Sequence, residues 1–260
     1  ARWREAALRR GRLVNYSDAR NGRASRARAF ESGVDSLENR YLAAGGIGAV
    51  LVALVAAALW LLVPQAAKTQ EAAGAADVRA VLALTPDDIG MGDPNAPIKL
   101  IEYASSGCGH CAAFHIETIP SIKKEWIDKG LVYYVLRDFP LDGVAAAASL
   151  IARCLPRERF YPFMDLLFRN QPAWHSAEVA DFRVALAALA GQAGLSPEAV
   201  ESCLKDEAAL ARMQKGRDLA ETILKVNSTP TSFINGEIVE GAAAYSEFDA
   251  KFKALLSAKP

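Results

Sequence analysis

Residues 98–111 read IKLIEYASSGCGHC and carry the most informative pattern in the chain. The first seven are rich in β-forming side chains and follow the turn formers Asp93, Pro94 and Pro97, so they predict a strand. Two cysteines three positions apart come a few residues later, where a helical periodicity begins. The order of strand, turn, Cys-x-x-Cys and helix indicates a thiol redox motif in an α/β fold.

Cys108 and Cys111 can share one helix face within reach of a disulfide. Cys108 falls at the predicted start of the helix, where unpaired backbone N–H groups and the helix dipole stabilise a thiolate. We expect Cys108 to be an exposed, acidic nucleophile with a pKa below the free value of about 8.5, and Cys111 to be the resolving thiol. A protonated His110 would lower that pKa further; the alternative is that His110 is only a solvent-exposed spacer.

A metal site is the competing explanation for the same cysteines. His115 could join Cys108 and Cys111 as a third ligand, but no fourth ligand is apparent and no second Cys-x-x-Cys follows. We therefore predict neither a metal nor another cofactor, and we expect His115 to be a packing residue on its helix. A non-enzymatic metal chaperone stays open as an alternative function.

The segments around the motif predict the rest of an α/β domain. A helical stripe from Cys108 to Lys129 contains Pro120, which should kink it, and Leu131–Leu136 predicts a second strand. Two short β-rich runs flank Asn235-Gly236, the preferred dipeptide of a hairpin turn. An amphipathic helix from Tyr245 to Leu256 closes the chain.

Residues 141–226 are rich in Ala and Leu without a convincing strand, and they predict a helical insertion of four or five helices. The helix breakers in it are Pro156, Pro162, Pro172, Gly191 and Pro197. Its aromatic residues could line a substrate groove, although aromatic residues at near-helical spacing are more typical of a core. They are Phe160, Tyr161, Phe163, Phe168 and Trp174, which His175 follows.

The N-terminal part of the chain differs from the rest in charge and hydropathy. The chain has 30 basic and 30 acidic residues, which excludes a globally basic nucleic-acid binder. Residues 1–40 hold ten Arg against five acids, and residues 41–63 hold no charge. At about 1.5 Å per residue, 23 apolar or small residues span the hydrocarbon core, so they predict a single transmembrane helix. Residues 64–80 then read as a linker to a domain over residues 81–260.

The arginines before residues 41–63 place the N-terminus in the cytoplasm by the positive-inside rule. We therefore expect a single-pass inner-membrane protein, held by its own helix, with the catalytic domain in the periplasm. A cleaved signal peptide is the alternative, since Ala73-Gly74-Ala75 has the small-x-small form of a cleavage site.

These motifs resemble the thioredoxin-fold family, and within it the DsbA-like periplasmic thiol oxidoreductases. The resemblance covers roughly residues 85–260 and rests on the turn at residues 92–97, the redox pair, the helical insertion and TPTSFING at residues 229–236. It implies a thioredoxin fold with a helical insertion. It also implies that Thr229-Pro230 is the family's cis-proline loop, which faces the cysteines and offers the Thr229 backbone to an extended substrate.

The same resemblance assigns roles to three other residues. Glu102 matches the family's buried acid, which could accept the Cys111 proton because burial disfavours the ionised form of a carboxyl group; a solvated Glu at a sheet edge is the alternative. Cys154 and Cys203 would form a second, structural disulfide, with two independent buried thiols as the alternative.

The activity implied by the resemblance is disulfide donation to unfolded or reduced secreted proteins, with re-oxidation by a DsbB-type membrane oxidase. The DsbA branch usually has proline between its cysteines, where this chain has Gly109. This departure leaves the redox poise open, so a disulfide reductase or isomerase on the same fold is the alternative.

Overall fold

A five-stranded mixed sheet organises the fold of the computed structural model, which describes residues 74–176 and 181–258. The strands are β1 (Gly90–Met91), β2 (Ile98–Ala104), β3 (Val132–Asp138), β4 (Thr231–Ile234) and β5 (Glu237–Glu240). Their order is β1-β3-β2-β4-β5. The central pair β2 and β3 is parallel, and the other pairings are antiparallel. The strand predicted from the sequence at residues 98–104 is β2, and it lies between β3 and β4.

Helices precede, connect and follow the strands. They are α1 (residues 74–82), α2 (Gly109–Glu117), α3 (Ile119–Ile122), α4 (Gly143–Cys154), α5 (Arg157–Arg169), α6 (Gln171–Trp174), α7 (Phe182–Gln192), α8 (Pro197–Leu204), α9 (Glu207–Thr222) and α10 (Tyr245–Ser257). A π-helical turn, Lys123–Ile127, follows α3.

Both faces of the sheet are covered by helices. Alternate residues of β2 point to opposite faces, so Ile98, Leu100 and Ala104 pack in a core with residues of α2, α5 and α10. Ile101 and Tyr103 face the other side, where residues of α9 and of α1 cover them. Glu102 has the parity of the first set and therefore faces α2 and α5.

Two expectations about where prolines interrupt helices need correction. The single kinked helix expected from Cys108 to Lys129 is divided into α2, α3 and the π-helical turn. It breaks before Pro120, which occupies the first turn of α3, because proline has no N–H to continue α2. Pro162, expected to separate helices, lies inside α5, whose buried aromatic side chains outweigh the lost backbone bond.

In its described residues, 141–176 and 181–226, the insertion has six helical segments, α4 to α9, where four or five were expected, because α6 is a separate helix of four residues. The aromatic residues of α5 are core rather than groove, since Phe160, Phe163 and Phe168 are all buried. Trp174 is also fully buried and its indole N–H donates to the Leu167 carbonyl. Cys154 at the end of α4 is joined by a disulfide to Cys203 of α8.

The predicted tail (residues 1–40), the predicted membrane helix (41–63) and residues 64–73 lie outside the described residues. Across the part of the chain that is described, no helix is both long and apolar enough to cross a membrane. Residues 74–80, expected to be linker, are instead helical. They belong to α1, because Val78, Val81 and Leu82 pack against the sheet.

Candidate redox site

The two cysteines of the motif lie where β2 ends and α2 begins. Cys108 is the N-cap residue of α2, and Cys111 is in its first turn. Both are free thiols, so the pair is in its dithiol form. Cys111 is fully buried, and Cys108, expected to be exposed, retains 9% of its surface. Part of the cover over Cys108 is the Thr229 backbone, whose carbonyl oxygen accepts from its Sγ at 3.4 Å.

The surroundings of Cys108 favour its thiolate. Its pKa is lowered to about 5, chiefly because the Cys111 side chain donates a hydrogen bond to it. The backbone N–H groups of Cys111 and His110 add to this effect, whereas burial opposes it. His110 itself is exposed, and its backbone N–H is among the groups that lower the pKa of Cys108.

The surroundings of Cys111 have the opposite effect. Burial raises its pKa most, followed by its hydrogen bond to Cys108 and by the charge of Glu102. The pair therefore combines one thiol that is easily ionised with one that holds its proton. This asymmetry gives the two sulfurs different roles in disulfide exchange, because the thiolate is the nucleophile and the better leaving group.

The ionisation of Cys108 predicts a particular pH dependence of alkylation. When Cys108 and Cys111 are thiols and the Cys154–Cys203 disulfide is intact, iodoacetamide should modify only Cys108. The modification rate should rise with pH through a midpoint near 5, where the Cys108 thiolate forms. Mass spectrometry of peptides after timed alkylation measures this. A midpoint near the ordinary value of about 8.5, or modification of Cys111 first, would contradict the assignment.

The loop before β4 lies directly over the redox pair. The Thr229–Pro230 peptide bond is cis, and both residues are largely buried. β4 follows at once and pairs antiparallel with β2, with Thr231 opposite Tyr103. This pairing brings the loop to the end of β2 from which Cys108 projects, so the Thr229 backbone stands beside the reactive sulfur.

Glu102 is buried in β2 and has two polar partners. Its Oε2 accepts from the Tyr134 hydroxyl at 2.6 Å and lies 3.1 Å from Nε2 of His115. Its Oε1 is buried and has no hydrogen-bond partner among the described residues. Glu102 is 0% exposed, so the alternative of a solvated edge residue does not hold.

Sequence reasoning did not identify the partners of Glu102. His115, expected only to pack, is buried and stacks on Phe168 at 4.2 Å, but it also contacts the carboxylate. Tyr134 lies on β3, in the apolar strand next to β2. The sequence did indicate that His115 lies near the redox pair, because it follows Cys111 by one helical turn and therefore lies on the same face of α2.

Two residues of the insertion hold the loop that precedes Cys108. The Gln171 side chain donates to the Ser106 carbonyl at 2.6 Å. The His175 ring, which is 2.8 Å from Asp142, packs so closely on Gly107 that a β-carbon there would lie 2.6 Å from Nε2. Only glycine fits this contact without movement, and no sequence pattern indicated it.

The metal alternative finds no cluster of ligands in the described part of the chain. Within residues 74–176 and 181–258, no three His, Cys, Asp or Glu side chains are placed to hold an ion. His115, the proposed third ligand, has Nε2 directed at Glu102 instead.

Comparison with known proteins agrees with this geometry. A sequence profile of the family described as Thioredoxin matches residues 84–254. The chain is 28% identical over 174 residues to a "Putative protein-disulfide oxidoreductase" of Rickettsia bellii, a match that covers 66% of each chain. It is 25% identical over 173 residues to "Disulfide bond formation protein D" of Bacillus subtilis, covering 65% of this chain and 77% of that protein.

Among solved structures, alpha-DsbA1 of Wolbachia pipientis superposes with a TM-score of 0.65 at 29% identity, covering 68% of this chain and 95% of that one. The chain spans less than two thirds of the length of the Rickettsia relatives, between 55% and 66%. The profile match nevertheless extends over more than half of the chain. The chain therefore belongs to the thioredoxin family, and its relatives in sequence and structure place it among that family's DsbA-like proteins.

Proposed function

We propose that this protein is a thiol:disulfide oxidoreductase that donates the Cys108–Cys111 disulfide to reduced proteins. The asymmetry of the pair carries the proposal, because a thiol with a pKa of about 5 stabilises the dithiol form and makes the disulfide oxidising. The name of the Bacillus subtilis relative, a disulfide bond formation protein, supports the same direction.

The proposed reaction begins at Cys108, since Cys111 is fully buried. A substrate thiolate attacks Sγ of Cys108, the bond between the two cysteines breaks, and the Cys111 sulfur takes up a proton. A second substrate thiolate then attacks the substrate sulfur of the mixed disulfide. Cys108 leaves as its stabilised thiolate, so the substrate gains a disulfide and the enzyme becomes the dithiol.

Substrate binding is assigned to the backbone at Thr229. Its carbonyl lies 3.4 Å from Sγ of Cys108, and Pro230 follows it. An extended peptide that pairs with this backbone would place its own cysteine at Cys108 with little dependence on its other side chains. The proposed substrates are therefore unfolded or reduced proteins with accessible thiols.

The direction of exchange can be tested with a dithiol peptide. The oxidised full chain should convert one equivalent of reduced peptide to its disulfide and yield Cys108 and Cys111 as thiols, measured by mass spectrometry after acid quench. The reduced chain, as control, should leave the peptide unchanged. If the oxidised chain leaves the peptide as a dithiol and the reduced chain readily reduces insulin disulfides, the reductase or isomerase alternative is correct.

We further propose that the domain acts in the periplasm, anchored by residues 41–63. The support is the sequence: 23 residues without charge, preceded by an excess of five basic residues over residues 1–40. Anchoring would raise the effective concentration of the domain near a DsbB-type membrane oxidase, the proposed source of its disulfides. Carbonate extraction should leave the chain in the membrane pellet; recovery in the supernatant would contradict the anchor.

A further inference from the structure

A cluster of buried polar side chains lies next to Cys111, and the exchange reaction described above assigns no role to them. Glu102, His115 and Tyr134 come from β2, α2 and β3, and each is at most 7% exposed. Three heavy-atom distances connect them: 2.6 Å from Tyr134 to Glu102, 3.1 Å from His115 to Glu102 and 3.2 Å from Tyr134 to His115. Polar groups at this depth are costly unless each is paired, so their arrangement requires an explanation.

The pairing within the cluster is uneven. Both partners of Glu102 converge on Oε2, and Oε1 has no partner among the described residues. An ionised carboxylate only accepts hydrogen bonds, so this form requires the His115 tautomer with hydrogen on Nε2. If a proton binds Oε1, Oε2 still accepts both bonds. The hydrogen bonds at Oε2 are thus compatible with a protonated or an ionised Glu102, and Oε1 is the oxygen that gains or loses the proton.

The cluster lies beside Cys111. His115 follows Cys111 by four residues on α2, so the two side chains share a helix face, and His115 contacts Glu102 directly. The charge of Glu102 also acts on the Cys111 thiol. Among the described residues, Tyr161 on α5 is a further titratable group beside the cluster, with its ring 5.6 Å from that of Tyr134. Ser232 is the β4 neighbour of Glu102.

We propose that His115 and Tyr134 are positioning residues: they hold Oε2 of Glu102 and leave Oε1 free for the proton exchange with the Cys111 sulfur that the family resemblance implies. The inference rests on the proposed function. When a substrate thiolate opens the disulfide, the S–S bond between Cys108 and Cys111 breaks and one between Cys108 and the substrate forms. The electron pair of the broken bond goes to the Cys111 sulfur, the O–H bond at Oε1 breaks, and an S–H bond forms. Enzyme re-oxidation runs the proton step backwards.

Stacking on Phe168 further restricts the orientation of the His115 ring. The imidazole of His115 lies nearly parallel to the Phe168 ring, with centroids 4.2 Å apart and an interplanar angle of 23°. This contact fixes the ring plane, so Nε2 has little freedom to leave Oε2. Phenylalanine at position 115 would keep the ring and the stack but remove the donor, which makes it a suitable variant.

The test is a double-mutant cycle on the full chain. Oxidation of a fluorescent dithiol peptide by the disulfide form is followed in a single turnover by stopped flow. Glu102→Gln should slow the reaction by about a hundredfold, within the range of a lost proton-transfer group. His115→Phe and Tyr134→Phe should each slow it by about tenfold, and by less than about twofold when Glu102 is already Gln. His115→Gln, which keeps a donor, should recover part of the rate.

A pH profile separates positioning from mere structural support. Per peptide thiolate, the wild-type rate should depend less on pH than the rate of His115→Phe, because an internal proton donor does not draw on the proton concentration of the solvent. In His115→Phe the rate should fall as pH rises, since more of the proton must come from solvent. The inference would be overturned if His115→Phe and Tyr134→Phe slowed the reaction equally in wild type and in Glu102→Gln and left the pH dependence of the rate unchanged. If the wild-type chain fails to oxidise the peptide at all, the proposed function itself fails.

Discussion

Cys111→Ser should trap the enzyme on its substrate, whereas Cys108→Ser should abolish exchange. In Cys111→Ser the Cys108 thiolate still attacks an activated peptide disulfide, but a hydroxyl cannot resolve the product. The mixed disulfide should therefore persist for hours, compared with about seconds when the resolving thiol is present. In Cys108→Ser the remaining thiol is 0% exposed and holds its proton, so the exchange rate should fall by at least about a thousandfold.

Non-reducing gels and intact-mass spectrometry measure both outcomes, since the mixed disulfide adds the mass of the peptide. Cys111→Ala is the matched control, because removing the sulfur without adding a hydroxyl should give the same trapped species. Trapping by Cys108→Ser, or exchange that continues without Cys108, would show that the two sulfurs have been assigned the wrong roles.

Removing the Cys154–Cys203 disulfide should give the largest loss of stability. The bond joins residues separated by 49 positions, and in the chain-entropy model a loop of this length stabilises the fold by about 4 kcal/mol. With a urea dependence of about 2 kcal/mol per molar, the double variant Cys154→Ala/Cys203→Ala should unfold at about 2 M less urea. Circular dichroism at increasing urea concentrations measures the midpoint.

Two controls separate the cross-link from the packing of the sulfurs. The Cys154→Ala/Cys203→Ala variant loses both the bond and the two sulfur atoms, of which only that of Cys203 belongs to a buried residue, whereas wild-type chain with this bond reduced keeps the atoms. Ser202→Ala, an exposed change on the same helix, should leave the midpoint where it is. If the double variant unfolds within about 0.3 M of wild type, the disulfide does not stabilise this domain.

The redox motif was predictable because it is local. β2 needs only a run of β-forming residues after a turn, and the position of Cys108 at a helix start follows from the next few residues. The burial of Cys108 was not predictable, because Thr229, whose backbone covers the Cys108 sulfur, is 121 positions away along the chain. Burial at this site depends on the pairing of β4 with β2, which no local pattern contains.

The surroundings of Glu102 show the same limit. A lone acid in an apolar strand indicated a buried carboxyl group, but its partners come from 13 and 32 positions away on other elements. Gln171 is 65 positions from Ser106, whose carbonyl it contacts. Pro162 was misread because local propensity was given more weight than the buried face of α5. The anchor at residues 41–63 stays a prediction.

The reduction potential of the Cys108/Cys111 pair tests the central claim most directly. At pH 7 a thiol with a pKa of about 5 is present as thiolate in about hundredfold excess over the thiol, which stabilises the dithiol form of the pair by the same factor. Since a tenfold change in the equilibrium constant corresponds to about 30 mV, the reduction potential should be about 60 mV less negative than that of an unperturbed pair. The full chain would be equilibrated with glutathione buffers and the fraction of disulfide measured after alkylation. A potential less negative than roughly −200 mV is the predicted result, and one near or below roughly −250 mV would contradict disulfide donation.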